Sequence, residues 1–476
     1  PGLVQVLPST KDGSISADLK TWTFHLRPHL VWSDGVALDA RDVDYTWRLW
    51  TNPNFGAANL YGLNLIQSAS VSPDNLSITF QLKQAFAPFL SVWTDGLAAP
   101  LPAHHFSALT PQQILHSGEN LNPIVSSGPF TMSESLPGDH YTVIRNPRYY
   151  RAAEGLPYLE KIIFRVAPDA QTALQDIQQG NVDSSWVTDL SNLSLYQKLH
   201  TYILVANKKT TNFEAMYFNF HNAILGKNPE VRQAISMAIE YTTLIQRARF
   251  GQAVASCTDH SPALQVTVSP TCPKFDRAAA NALLDQNGWY TGNDGYRVKQ
   301  GQKLEFHYAT TTDNAWGLAD EPIIQQDLQA VGIKLDIKNY PPLTFYNSVL
   351  NDGKSGTYDI AEFGNALTYD PDDAFLFSCK QFPPSGFNVS FYCNKDLEAL
   401  YTQEQATIDP KSRQAIFEQI QHIYLTDFPF ITLYRPYDLG LVKKGTRNYL
   451  PSPQGALETG NVWAWWCDRG KCPSQK

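Results

Sequence analysis

The chain has no run of 18 uninterrupted apolar residues, so nothing in it reads as a membrane-spanning helix. It also has no long Lys/Arg run, and a net charge of −8 lacks the basic footprint with which proteins hold a phosphate backbone, which argues against a nucleic-acid partner. Charge of either sign is scarce, at 17% of residues against about 25% in ordinary globular chains. The sequence signatures of common enzymes are missing: there is no G-x-S-x-G, no H-E-x-x-H and no G-x-G-x-x-G. Gly353-Lys354-Ser355 ends like a phosphate loop, but Ser348 stands where the earlier glycine is required, so it reads as a turn. No cysteines are spaced as CxxC, none has a histidine at zinc-finger distance, and no cofactor motif appears. Low-complexity linkers and internal repeats are absent, the 31 Pro and 28 Gly being spread along the chain.

What is present points to a large folded protein. At 476 residues the length alone suggests about three domains. Hydrophobic residues make up 43%, and the 11 Trp and 23 Tyr suit both cores and a wet binding cleft. Six cysteines fall as three close pairs, Cys257 with Cys272, Cys379 with Cys393, and Cys467 with Cys472. Six cysteines allow about 15 pairings, of which the three local bridges are the simplest. Closing a loop of about 15 residues stabilises a fold by about 3 kcal/mol on the chain-entropy account. Disulfides imply an oxidising, extracytoplasmic setting. The chain opens at Pro1-Gly2-Leu3, with neither an initiator Met nor a signal peptide, so its start is expected to be processed or incomplete.

The periodicity changes along the chain. Thr21 to Arg27 and Ser77 to Lys83 alternate as strands, and Asp39 to Asp42 forms a capping box that opens a helix through Trp50. From about residue 157, strands and helices alternate. Lys161 to Val166, Tyr202 to Val205 and Ala215 to Phe220 read as strands, and Ala170 to Gln179 as a helix stopped by Gly180. Asn228 and Pro229 begin a helix expected to run to Gly251, and Asp276 caps one ending at Gly288. Pro322 is expected to begin another that Gly332 closes, before a strand at Ile333 to Ile337, and Asp409-Pro410 starts one toward Thr426. Helix and strand in alternation imply α/β domains with mixed sheets.

Few residues invite a chemical role. His104 and His105, read as neighbours on a strand, point apart and lack a third ligand, so no metal site is assigned. Asp370, Asp372 and Asp373 form the densest acidic cluster, read either as the cap of a short helix or as the negative rim of a ligand cleft. A carboxylate pair also fits a secreted glycoside hydrolase, but no second isolated carboxylate stands out. No catalytic residue is assigned, and a binding protein is preferred to an enzyme.

Several segments, in order, resemble the extracellular solute-binding proteins of the peptide/nickel family, which deliver ligands to ABC importers. Thr21-Trp22-Thr23-Phe24-His25-Leu26-Arg27, Val31-Trp32-Ser33-Asp34-Gly35-Val36 and Ala40-Arg41-Asp42-Val43 look like the family's first conserved stretch, with Ala37 where a Pro is common. Ser127-Gly128-Pro129-Phe130, Arg145-Asn146-Pro147-Arg148-Tyr149-Tyr150, Leu174 to Asp183, Val231-Arg232-Gln233-Ala234-Ile235, Ala282-Leu283-Leu284 with Gly288, and Gly332-Ile333 continue it over nearly the whole chain.

The resemblance implies an α/β, two-lobed periplasmic-binding-protein-like clamp with mixed sheets and an extra smaller lobe. Residues 1–143 would be the extra lobe, lacking some of its N-terminal part; 144–228 and 431–476 the first main lobe; 229–430 the second. It implies an extracytoplasmic, lipid-anchored monomer that captures a peptide or similar small solute and hands it to a membrane permease, with an oligosaccharide receptor as the alternative. By the same resemblance the ligand-binding residues would be Tyr217, Glu362, Phe363, Asn365, Leu367, Thr368, Tyr369, Asp370 and Tyr434. Peptide-binding members place an Asp four residues before the Pro of a D-x-x-[DE]-P segment, where it pairs with the peptide amine. Here that Pro is Pro371 and the matching residue is Leu367, so the amine anchor is missing, with Glu362 or Asp370 as possible substitutes.

Overall fold

The structure, a computed structural model, describes residues 2–57, 60–94, 98–187, 189–354, 356–452 and 460–467. Four apolar cores organise them. The first lies over an antiparallel sheet in which Ser77–Leu82 sits between Thr21–His25 and Ile66–Val71. Alternation sends Trp22, Phe24, Ile78 and Phe80 inward, where the apolar face of helix Ala40–Trp50 covers them. That helix starts as the sequence requires: Arg41 N donates to Asp39 Oδ1 at 2.9 Å, and Asp39 N donates to Asp42 Oδ2 at 3.0 Å. A second antiparallel sheet, Phe130–Leu136, His140–Arg145 and Lys161–Arg165, follows.

A third sheet sets Asp438–Lys443 between Ser184–Trp186 and Tyr202–Asn207. Helix Ala170–Gln179 packs on it through Leu174 and Ile177. Gly180 ends this helix at φ +74°, a left-handed conformation that any side chain would strain.

The largest sheet has six strands, in the order Ala253–Ala255, Phe430–Pro436, Asn212–Phe218, Ile360–Ala366, Glu305–Ala309 and Lys334–Ile337. Glu305–Ala309 runs parallel to both its neighbours, while Asn212–Phe218 runs antiparallel to both of its own. Both faces are covered. Phe213, Ala215 and Tyr217 enter one core, with the helix Pro410–Asp427, and Met216 and Phe218 enter the other, with Pro229–Ala238, Arg277–Gln286 and Ala315–Gln329. The division made from sequence puts Asn212–Phe218 in the first main lobe and Ile360–Ala366 in the second; here the two pair along seven residues in one sheet.

The chain passes between the third sheet and the six-stranded one twice, side by side: Tyr202–Asn207 leads into Asn212–Phe218, and Phe430–Pro436 leads into Asp438–Lys443. Hydrogen bonds tie the crossings together. Thr210 Oγ1 donates to Pro436 O at 3.2 Å, and Asn212 Nδ2 donates to Asp438 Oδ1 at 3.3 Å.

Three local expectations are corrected. The helix from Pro229 stops at Ala238, because Ile239 is extended and Glu240 caps a new helix, Tyr241–Ala248, accepting from Thr243 N at 2.6 Å. The next helix begins at Ala315 rather than Pro322: Asn314 caps it, and Pro322 lies inside, its missing N–H tolerated where Ile324 and Leu328 anchor the helix in the core. His104 and His105 sit on a helical turn, Ala103–Phe106, and each meets a carboxylate, Asp34 at 2.7 Å and Glu119 at 2.8 Å. The bridges Cys257–Cys272 and Cys379–Cys393 form, with Cα separations of 5.5 and 4.8 Å. In the third expected pair, Cys467–Cys472, Cys472 lies outside the described residues.

Candidate functional site

The nine expected ligand residues fall on three strands of the six-stranded sheet and on the segment that leaves it. Tyr217 and Tyr434 are 2% and 0% exposed. Tyr217 stacks on Phe363 at 4.5 Å between centroids and accepts from Asn365 Nδ2 at 2.8 Å, and Tyr434 Oη donates to Asp320 Oδ2 at 2.5 Å. Both rings are core in this conformation. Leu367 is 2% exposed, inside the cluster that holds Phe363, Ala374 and Phe377. Asn365 and Thr368 are half-buried, and Tyr369 is exposed. These three side chains are uncharged; Asn365 Nδ2 is used on Tyr217, and Thr368 Oγ1 donates to Asp370 O at 3.0 Å. The exposed ring of Tyr346 stands edge-on 6.0 Å from Phe363 and adds a second aromatic tip to this region.

The acidic cluster that follows is buried throughout, so it forms no exposed negative rim. Asp370 takes both arms of Arg413, at 2.7 and 2.8 Å, and Arg413 also reaches Glu404 at 2.6 Å. Asp372 accepts from Tyr61, Gln405 Nε2 (2.9 Å) and Ala374 N (2.9 Å). Its contact with Tyr61 locks the N-terminal region onto this segment, helped by Tyr61 against Phe375 at 5.6 Å. Asp373 Oδ2 accepts from Tyr424 at 2.9 Å. Asp373 stands at the N-cap of the short helix Ala374–Phe377 without a side-chain capping bond, and Asp372, one residue earlier, accepts from the first helical N–H, that of Ala374.

Sequence reasoning missed a second buried acidic group. Glu214, Asp320 and Glu362 are 1%, 0% and 0% exposed and lie on the opposite face of the sheet from Tyr217. Desolvation, then the charge of Asp320, pushes Glu214 up; desolvation, then Asp320 and Glu214, pushes Glu362 well up. Tyr308 donates to Glu362, and the enclosure of this carboxyl disfavours its anionic form. The Arg249 guanidinium, 2% exposed, lies 3.9 Å over Trp316 and lowers Glu214 and Asp320. Gly364 allows the close approach: a Cβ there would meet Glu214 Oε2 at 3.0 Å. The sequence signal was a lone carboxylate in an otherwise apolar strand, Asn212–Phe218.

Neither proposed substitute for the missing anchor is freely available: Asp370 is paired with Arg413, and Glu362 is fully enclosed, where desolvation disfavours its anion. A profile of the bacterial extracellular solute-binding proteins, family 5 Middle, matches residues 8–384. This chain belongs to that family. The chain is similar to the oligopeptide-binding protein AppA of Bacillus subtilis, 24% identical over 96% of this chain and 81% of that protein's length. The nickel-binding periplasmic protein of Escherichia coli is 27% identical over 86% of this chain and 77% of its own.

The solved structure of AppA with a nonapeptide superposes with a TM-score of 0.81 at 21% identity, covering 98% of this chain and 90% of that one. NikZ of Campylobacter jejuni, with Ni(L-His), gives 0.80 at 21% identity and the same coverage. The two-lobed α/β fold expected from the sequence is the fold these proteins share. As a family 5 solute-binding protein, the chain works outside the cytoplasm as the capturing component of an ABC importer, and no helix among its described residues is long and apolar enough to cross a membrane.

Proposed function

We propose that the protein captures a short peptide between its two main lobes and passes it, chemically unchanged, to a membrane permease. The lobes divide at the paired crossings, 207–212 and 436–438, so that the six-stranded sheet forms one jaw and the sheet built on Asp438–Lys443 the other. Two adjacent crossings allow a hinge motion while the sheets stay rigid. Asn365, Thr368 and Tyr369 line the peptide path at the end of Ile360–Ala366.

One observation carries the ligand reading. The position of the amine clamp is an enclosed Leu367, Asp370 is paired with Arg413 and Glu362 is buried against Tyr308, so the site offers a peptide backbone hydrogen bonds and aromatic contact without an ionic anchor at that point. The relatives' names favour peptide over oligosaccharide. Titration calorimetry with short peptides and with an oligosaccharide tests this. One peptide per chain is expected, recovered intact, with about 2.7 kcal/mol of added stability at one hundred times the dissociation constant. A cleaved peptide, or heat from the sugar alone, overturns it.

A further inference from the structure

The loop that follows strand Ala253–Ala255 is closed by Cys257–Cys272 and carries Asp259 and His260, 0% and 1% exposed. Asp373, also 0% exposed, faces them from the segment after Pro371. A carboxylate oxygen of Asp259, a ring nitrogen of His260 and a carboxylate oxygen of Asp373 all lie within 4.8 Å of one another. Among the described residues, neither nitrogen of His260 has a hydrogen-bond partner, and neither do Asp259 Oδ2, Asp373 Oδ1 and Gln421 Oε1. The surrounding groups hold these atoms in place. Gln421 Nε2 donates to Asp259 Oδ1 at 2.8 Å, Tyr424 Oη donates to Asp373 Oδ2 at 2.9 Å, and the Phe417 ring stands edge-on to His260 at 4.9 Å.

Buried polar atoms are nearly always paired, and here several unpaired acceptors converge with a buried imidazole. Protons alone serve this arrangement poorly: one proton can bridge the two acids, but the imidazole is left bonded to nothing. A divalent cation satisfies all three groups and cancels the charge of both carboxylates.

We propose that Asp259, His260 and Asp373 bind a divalent transition-metal ion, with the amide oxygen of Gln421 as a further donor. The imidazole selects Zn²⁺ or a neighbouring transition ion over Ca²⁺ and Mg²⁺, which prefer oxygen alone. The ligands are fully enclosed, which makes this a resident ion rather than transported cargo. It ties the disulfide-closed loop to the segment from which Asp370 and Asp372 reach Arg413 and Tyr61.

The test is calorimetry on chelator-stripped protein with Zn²⁺, Mn²⁺ and Ca²⁺ separately, alongside Asp373→Asn and His260→Gln. One Zn²⁺ per native chain is expected, with Ca²⁺ at least about 100-fold weaker, a raised thermal midpoint, and at least tenfold weaker Zn²⁺ binding in each variant. Asp373→Asn keeps size and shape, and it decides the question where His260→Gln fails to fold. Native protein that binds no Zn²⁺, or an Asp373→Asn variant that binds it as tightly as the native chain, shows that the acids merely share a proton and overturns the proposal.

Discussion

In the proposed peptide site, Leu367 is the residue on which ligand chemistry would turn. It packs among Phe363, Ala374 and Phe377, so a ligand ammonium placed beside it would lose water and gain no carboxylate. Free and N-acetylated forms of one peptide should therefore bind within about 1 kcal/mol of each other by calorimetry, since capping removes no buried ion pair. A penalty of about 3 kcal/mol or more on acetylation would show that another carboxylate holds the amine. Leu367→Asp should leave a free-amine peptide bound at least as tightly as before. Sequence motifs made Leu367 legible because they fix a position relative to Pro371. They could not show that Asp370 is paired with Arg413, a partner 43 residues away, or that Glu362 is fully enclosed. Those facts depend on which faces of the sheet are covered.

Among the elements, local chemistry was the most readable. Asp39, Asp276 and Asp409 each cap the helix that follows, and Gly180 ends one, because these effects act within a single turn. The strands of the six-stranded sheet were harder to delimit, since burial on both faces replaces alternation with a nearly continuous apolar run such as Phe213 to Phe218, broken only by Glu214. The crossings were invisible, being defined by pairing between distant strands. Their behaviour with pH follows from Asp438, which burial pushes up to about 6 from an ordinary 3.8, with the Asn212 hydrogen bond opposing.

The neutral acid of Asp438 fits the fold better than its anion. Its contribution to stability is thus fully present below about pH 4 and is lost as pH rises through 6. Denaturant unfolding at a series of pH values should find Asp438→Asn more stable than the native protein at pH 7, by up to about 3 kcal/mol. That difference should shrink toward zero below pH 4. A gap that stays constant from pH 4 to 7 would mean that Asp438 does not titrate in this range.

At the scale of the whole molecule, the order of weak motifs carried more than any one of them. Segments from Thr21 to Ile333 appeared in a fixed sequence, and the family profile covers 8–384. Most of those residues are caps, turns and core positions, so they reported the architecture and said little about the ligand. The docking of Tyr61 on Asp372, which joins the N-terminal region to the segment that leaves the six-stranded sheet, had no signal in the sequence because the partners are 311 residues apart.

The account rests on one claim, that the two jaws hold an intact peptide. Native mass spectrometry of the protein after exposure to a defined mixture of short peptides and oligosaccharides addresses it most directly. The account predicts one added mass per chain, equal to that of an uncleaved peptide. An added mass equal to an oligosaccharide, or to a peptide fragment, would contradict it.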